Sequence, residues 1–333
     1  MPTNVLVLIH GITVRRVADS HAGEYANLIG GLFDKRPVLQ ATFPPAQRIR
    51  VEWGHRPLNV PAEQLRPDQR IMDAENRLYS LVNYAAVKAD KSPRNHVLSP
   101  LAEPFGALTR LVTDSVKENL GILGLTDAVY YISPDGEDRV RAAVYGQVLR
   151  QLDPFQGSGE VRLHVIGQSL GVTLAHDFLF GLFAPDAAFS GGQPGFLSNE
   201  LAADDDIERF KFWRRAAQGQ EANTQATFGS KASTGSQLPL MMMRKQALVE
   251  ILAAGGTIDP TVIGLPVDGG IRWRIFYDVD DVLGFPTRRI YRDLPTIEEF
   301  QVNSGALPDK AHSEYWHNDT VLEKIADLLA KCT

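Results

Sequence analysis

The chain has 333 residues, 44% of them hydrophobic and 22% charged, which is enough apolar material for a sizeable buried core. With 34 Lys and Arg against 40 Asp and Glu the net charge is −6, which argues against nucleic acid as the main partner, because phosphate binding draws on a basic surface. The single cysteine, Cys332, stands where the chain end is expected to fray, and it excludes both a disulfide framework and a cysteine-based zinc cluster.

No stretch reaches the ~20 apolar residues of a membrane span, and the apolar run at residues 5–9 lacks the basic flank and the length of a signal peptide. The expectation is a soluble cytoplasmic protein, with a mature secreted form as the alternative. Residues 5–9, all apolar and rich in β-branched types, predict a buried parallel strand. Residues 25–33 predict a helix and residues 48–53 a second strand. Between about 60 and 125 the pattern is helical: Ile71, Leu78, Leu81, Val82 and Tyr84 recur at helical spacing, residues 105–120 repeat the idea, and Pro93, Pro100 and Pro104 separate the two. An apolar, aromatic run at 128–132 leads to an amphipathic helix at 135–152, with Val140, Val144, Val148 and Leu152 on one face.

Residues 161–166 predict a strand and residues 170–183 a helix. Residues 185–223 read as an insertion with helical content, first Gly/Pro-rich, then acidic (Asp204, Asp205, Asp206), then aromatic and basic (Phe210, Phe212, Trp213, Arg214, Arg215). A strand is expected at 226–230 or 233–238, a helix at 239–253, strands at 272–278 and 299–302, and a terminal helix at 315–330. Strands alternating with helices imply an α/β fold with a mostly parallel sheet covered on both faces. No strong linker appears, so residues 1–333 read as one domain with helical insertions at about 60–125 and 185–223.

The strand at 161–166 runs into Gly167-Gln168-Ser169-Leu170-Gly171 and then a helix, which is G-x-S-x-G in its strand–turn–helix setting. A sharp turn of this kind strains the serine backbone and tolerates only hydrogen two residues to either side. It pushes Ser169 Oγ out at the C-terminal edge of the sheet, in front of a helix N-terminus that favours developing negative charge. Acyl transfer also needs two N–H donors for an oxyanion. Leu170, after the nucleophile, supplies one candidate, and Ile12, in the His10-Gly11-Ile12 turn after the first strand, supplies the other, with His10 shaping the loop.

An acid at the end of a late strand can orient a histidine. Asp278, Asp280 and Asp281 compete; Asp281 is preferred because it opens an Asp-Val-x-x-x-Pro segment, and Asp280 is second. His312 precedes the terminal helix in a loop able to reach the serine and is the candidate general base, with His317 as its rival. His164 and His176 read as packing residues, and His21, His55 and His96 as surface or loop residues. The order Ser169, Asp281, His312 is that described for α/β-hydrolases.

On these residues the chain resembles the α/β-hydrolase superfamily. Residues 5–12, 167–171, 278–286 and 312–316 carry the match, and the Gly-x-Ser-Leu-Gly, Asp-Val-x-x-x-Pro and His-Ser-x-Tyr-Trp segments look like bacterial lipase- and esterase-like members. Gln168 departs from the family, standing where many relatives have His. The resemblance implies an α/β-hydrolase fold with insertions that would cap the site, a serine nucleophile, a small-molecule ester or lipid substrate, and neither metal nor organic cofactor. A phospholipase, thioesterase or acyltransferase would use the same triad, and a non-catalytic binding scaffold is the alternative of another class. In the hydrolase reading Leu238, Leu240 and Met241, Met242 and Met243 line an acyl pocket; in the plainer one they open a core helix. Phe210, Phe212 and Trp213 read as a lid face or a docking surface. No G-x-G-x-x-G follows Gly11, and neither a P-loop nor a zinc-protease helix is present.

Overall fold

The computed structural model describes residues 2–11, 22–53, 131–189, 192–305 and 308–333. Ile12, His21, His55, His96 and the helical stretch expected at 60–125 lie outside the described residues. Six strands, β1 (Thr3–Ile9), β2 (Arg48–Val51), β3 (Gly159–Gln168), β4 (Thr224–Thr234), β5 (Trp273–Tyr277) and β6 (Ile297–Gln301), form one all-parallel sheet in the order β2-β1-β3-β4-β5-β6. The described α-helices are α1 (Ala22–Lys35), α2 (Val38–Thr42), α3 (Pro134–Leu152), α4 (Leu170–Phe183), α5 (Asp204–Ala217), α6 (Leu238–Met242), α7 (Gln246–Ala253), α8 (Pro308–Ser313) and α9 (Asp319–Cys332). None of them is long and apolar enough to cross a membrane.

Alternate residues of each strand point to opposite faces, so a parallel sheet covered twice needs apolar residues at nearly every position. β1 meets this demand: Leu6 and Leu8 join a core with α1, α2 and α9, while Val5, Val7 and Ile9 join a second core with α3, α4 and α5. Every residue of β1 from Val5 to Ile9 is buried.

Of the two alternative strand candidates, β4 contains the whole of 226–230 and only the first two residues of 233–238, since Leu238 opens α6. A register shift opposite Leu163 and His164 leaves Gly229 unpaired between Phe228 and Ser230, and this bulge breaks the alternation that pattern reading relies on. The expected helix at 239–253 is split into α6 and α7. The terminal helix starts at Asp319, where the Asn318 side chain caps the N–H groups of Thr320 and Val321 at 3.0 and 3.2 Å; Glu314–His317 is a separate 3-10 turn.

The aromatic residues expected to form a lid face lie inside the molecule. Phe210 and Trp213 are fully buried in the core shared by α3, α4 and α5, and the partly buried Phe212 packs against the same core. Met241 and Met242 are likewise buried core residues, whereas Leu240 and Met243 are exposed. Cys332 is buried rather than frayed: its Sγ donates to Ile271 O at 3.3 Å, and Arg162 and Arg272 donate to its carbonyl.

Two charged groups of this frame are shifted by their surroundings. Asp177 of α4 accepts from Tyr131 OH at 2.7 Å, from Arg141 and from Arg244; burial acts to raise its carboxyl, but Arg244, Arg141 and Lys245 together hold it well below the usual range. Lys231 of β4 is fully buried, with Nζ 4.3 Å from the Trp273 ring centroid and no hydrogen-bond partner among the described residues. Burial pushes its pKa down from 10.5 to about 7, with Asp177 opposing the shift.

Between these two values the unfolded chain binds the extra proton, so stability is expected to rise with pH from about 7 to about 10, by an amount on the order of 3–5 kcal/mol. Lys231→Met is expected to raise Tm at neutral pH and to flatten that rise. Thermal melts of both proteins near pH 7 and pH 9.5 measure the slope; an unchanged slope would contradict the assignment.

Candidate active site

Because all six strands run parallel, their C-terminal ends open onto one edge of the sheet, and the loops that follow β1, β3, β4, β5 and β6 meet there. The chain passes from β1 outward to β2 and returns to β3 on the other side of β1, which makes the β1/β3 boundary a topological switch point, the usual place for a ligand crevice. Register pairs Ile9 with Gly167, so Gly11 comes to lie beside Ser169.

Ser169 adopts φ 53° and ψ −127° and is the only described non-glycine residue at positive φ. Such a conformation costs an L-residue about 1–3 kcal/mol and persists only where neighbours enforce it. Ser169 N donates to Thr234 O at 2.9 Å, and Val172 N donates to Ser169 O at 3.0 Å. Glycines make the room. A Cβ on Gly171 would stand 2.3 Å from Ile9 O and 2.4 Å from His10 O, and one on Gly167 would stand 2.8 Å from Val172 Cα. A Cβ on Gly11 would stand 2.6 Å from Ser169 Cβ.

The turn presents Ser169 Oγ to His312, whose Nε2 lies 2.8 Å away. On the other side of the ring, Nδ1 lies 2.9 and 3.0 Å from the two carboxylate oxygens of Asp281. With Nδ1–H facing a carboxylate, Nε2 is left as an acceptor for the serine hydroxyl. The Asp281 side chain is wholly buried and satisfied by further donors: Leu283 N at 2.9 Å and Tyr315 OH at 2.9 Å. Burial first, then the Asp281 charge, push the Tyr315 hydroxyl well above its usual pKa, so it remains a donor. The carboxylate and phenol pack against Gly235 and Gly284, where a Cβ would stand 2.8 Å from Tyr315 Cε2 and 2.2 Å from Asp281 Oδ2 respectively.

The structure thus brings Ser169, Asp281 and His312 into one hydrogen-bonded row. Asp280 is exposed, and Asp278 instead accepts from Asp280 N and Ser304 N. His317 is an exposed partner of Glu314. His164 bonds Ser230 and Asn4, and burial, with Arg162 and Arg272 nearby, pushes it down to about 3, so it is neutral. His176 bonds Tyr291 within the core. His10 stacks on Trp53 with ring centroids 5.6 Å apart, its N–H donates to Tyr25 OH, and its carbonyl accepts from Trp53 Nε1, which fixes the end of β1. Gln168 Nε2 reaches the carbonyls of His312 and Ser313 at 3.4 Å each, tying the elbow to the histidine segment. Leu170 N–H opens α4, where no helical carbonyl precedes it, while Ile12 lies outside the described residues.

Two residues at the site receive no role from the sequence alone. Tyr315 stands in the His-Ser-x-Tyr-Trp segment and gains its role only through the fold. Gln237, after β4, donates from Nε2 to Ser169 Oγ at 3.1 Å; the sole hint is a polar amide directly after a strand that ends at the same edge. Among the described residues no three His, Cys, Asp or Glu side chains group so as to hold a metal ion.

No family model, no curated protein and no solved structure matches this chain.

A methyl group at position 171 would meet two backbone carbonyls that the sheet holds in place. Gly171→Ala is therefore expected to lose about 2–3 kcal/mol of stability in urea unfolding, in the range of overpacking strain. Gly270→Ala, outside any helix or strand and with no atom within 4 Å of the added methyl, serves as the control.

Proposed function

We propose that this chain is a serine hydrolase of the α/β-hydrolase fold that cleaves carboxylic esters through an acyl-enzyme. The observation that carries the reading is the row from Ser169 Oγ through His312 Nε2, 2.8 Å away, to the buried Asp281 carboxylate. The strained serine adds support, since backbone strain of this kind clusters at functional sites.

In the proposed reaction the Ser169 hydroxyl proton passes to His312 Nε2 as an Oγ lone pair forms a bond to the ester carbonyl carbon. The carbonyl π pair moves onto oxygen, and that oxyanion is met by Leu170 N–H and, from the residue after Gly11, by Ile12 N–H. Collapse breaks the bond to the alkoxy oxygen, which leaves with the proton from His312. Water then repeats the sequence on the acyl-enzyme: His312 takes its proton, hydroxide adds to the acyl carbon, and Oγ leaves with the proton returned. Asp281 holds the ring tautomer and stabilises the imidazolium throughout.

The test is labelling by a fluorophosphonate probe together with hydrolysis of short p-nitrophenyl esters. Ser169→Ala is expected to abolish both, and Asp281→Asn to lower kcat by roughly 10³–10⁴. The exposed Asp280→Asn is expected to leave the rate within twofold. Full ester hydrolysis by Ser169→Ala would sink the reading, and a panel of matched oxygen esters and thioesters separates an esterase from a thioesterase.

A further inference from the structure

Gln237 is 1% exposed, and its backbone already serves α6: its carbonyl accepts from Leu240 N at 3.0 Å and Met241 N at 3.1 Å. Its side chain makes no capping bond. Instead Nε2 donates to Ser169 Oγ at 3.1 Å, while Oε1 has no hydrogen-bond partner among the described residues. The serine hydroxyl owns a single proton, which is committed to His312 Nε2, so only a donor can share the oxygen with that histidine.

Buried polar atoms are nearly always paired, and an orphaned acceptor is destabilising. A half-satisfied amide beside a nucleophile therefore represents stability given up at that position, which is common where function demands a specific polar group. The loop around it is fixed independently of the side chain, by Gly235 N donating to Phe276 O at 3.1 Å and Phe285 N donating to Ser236 O at 3.0 Å. Nothing in the loop's own hydrogen bonding requires an amide at position 237.

Building on the serine-hydrolase reading, we propose that Gln237 is a catalytic residue whose side-chain amide donates to the Ser169 oxygen during attack, a different oxygen from the substrate carbonyl that the Leu170 N–H meets. Where proton loss to His312 runs ahead of the bond to carbon, Oγ carries partial negative charge, and the Gln237 N–H is already aimed at it, so no reorganisation is needed at the moment of reaction. The amide also holds Oγ in the rotamer that faces His312. The same N–H faces Oγ when it leaves in deacylation, so both half-reactions draw on it, and fluorophosphonate labelling reads the attack alone.

The experiment compares wild type, Gln237→Met, Gln237→Glu and Ser169→Ala by the rate of fluorophosphonate labelling and by thermal melting. Gln237→Met, close in volume and without the amide, is expected to label about 100-fold more slowly. Its Tm is expected to equal or exceed that of the wild type, by up to about 4 °C, because the orphaned acceptor is gone. A structural role predicts the opposite, a lower Tm. Equal labelling rates, or a lowered Tm, would overturn the proposal. Gln237→Glu keeps the shape and makes the donor titratable. Burial raises a carboxyl pKa, and only the protonated form can donate, so its rate relative to wild type is expected to fall as pH rises between about 5.5 and 9; a ratio flat in pH would overturn the proposal. Wild-type labelling that disappears in Ser169→Ala, combined with unaffected Gln237 variants, would reject this inference alone. An unlabelled wild type would reject it together with the hydrolase reading.

Discussion

The edge of the sheet where five loops meet is organised around one unfavourable pair of backbone torsions. At φ 53° and ψ −127°, Ser169 cannot relax to an ordinary turn without withdrawing its hydroxyl, and it is held by the bond from its N–H to Thr234 O. The glycines at 11, 167 and 171 are the counterpart of that strain. Gly171 lets the first turn of α4 approach the carbonyls of Ile9 and His10 more closely than any side chain would allow, while Gly167 makes room for Val172 and Gly11 for Ser169. Strain at one residue is thereby balanced by packing of a whole helix against the end of β1, which is how such a conformation survives in a folded chain.

The buried polar groups divide into two kinds. Asp281 is wholly enclosed yet meets three donors, from His312, Leu283 and Tyr315, and Asp177 meets Tyr131 and two arginines. These are compensated charges, for which removal of one partner is the costly event. Lys231 Nζ and Gln237 Oε1 are the other kind, enclosed without a partner among the described residues. They lie on and just after the same strand, β4, whose interior mixes polar and apolar residues.

That character also explains what can and cannot be read from the sequence. β1 and β3 are legible because unbroken apolar runs have few alternatives to a doubly covered strand. β4 is not: buried Ser230, Lys231, Ser233 and Thr234 defeat a hydropathy reading, and the bulge at Gly229 breaks its period. The helix at Asp204–Ala217 reads as an insertion because its ends are charged. Its acidic first turn and basic last turn match the helix dipole, while Phe210 and Trp213 between them turn into the core. At the site, the Ser169 turn is local chemistry and has a spacing that can be recognised. The choice among Asp278, Asp280 and Asp281 depends on which carboxylate the loop turns toward His312. Gln237 depends on the path of the chain after β4, which no local pattern encodes. Ile12 lies outside the described residues.

Tyr315 accepts from Asp278 N at 2.8 Å and donates to Asp281, while belonging to the segment that carries His312. The phenol therefore fastens the arm bearing the imidazole to the arm bearing the carboxylate, at a point buried away from water. The two arms are pinned to each other there, whereas the hydroxyl of Ser169 is mounted on a different strand and meets them through the tip of the ring and through the Gln168 amide on the carbonyls of His312 and Ser313. Imidazole and carboxylate thus share a buried brace that does not include the serine.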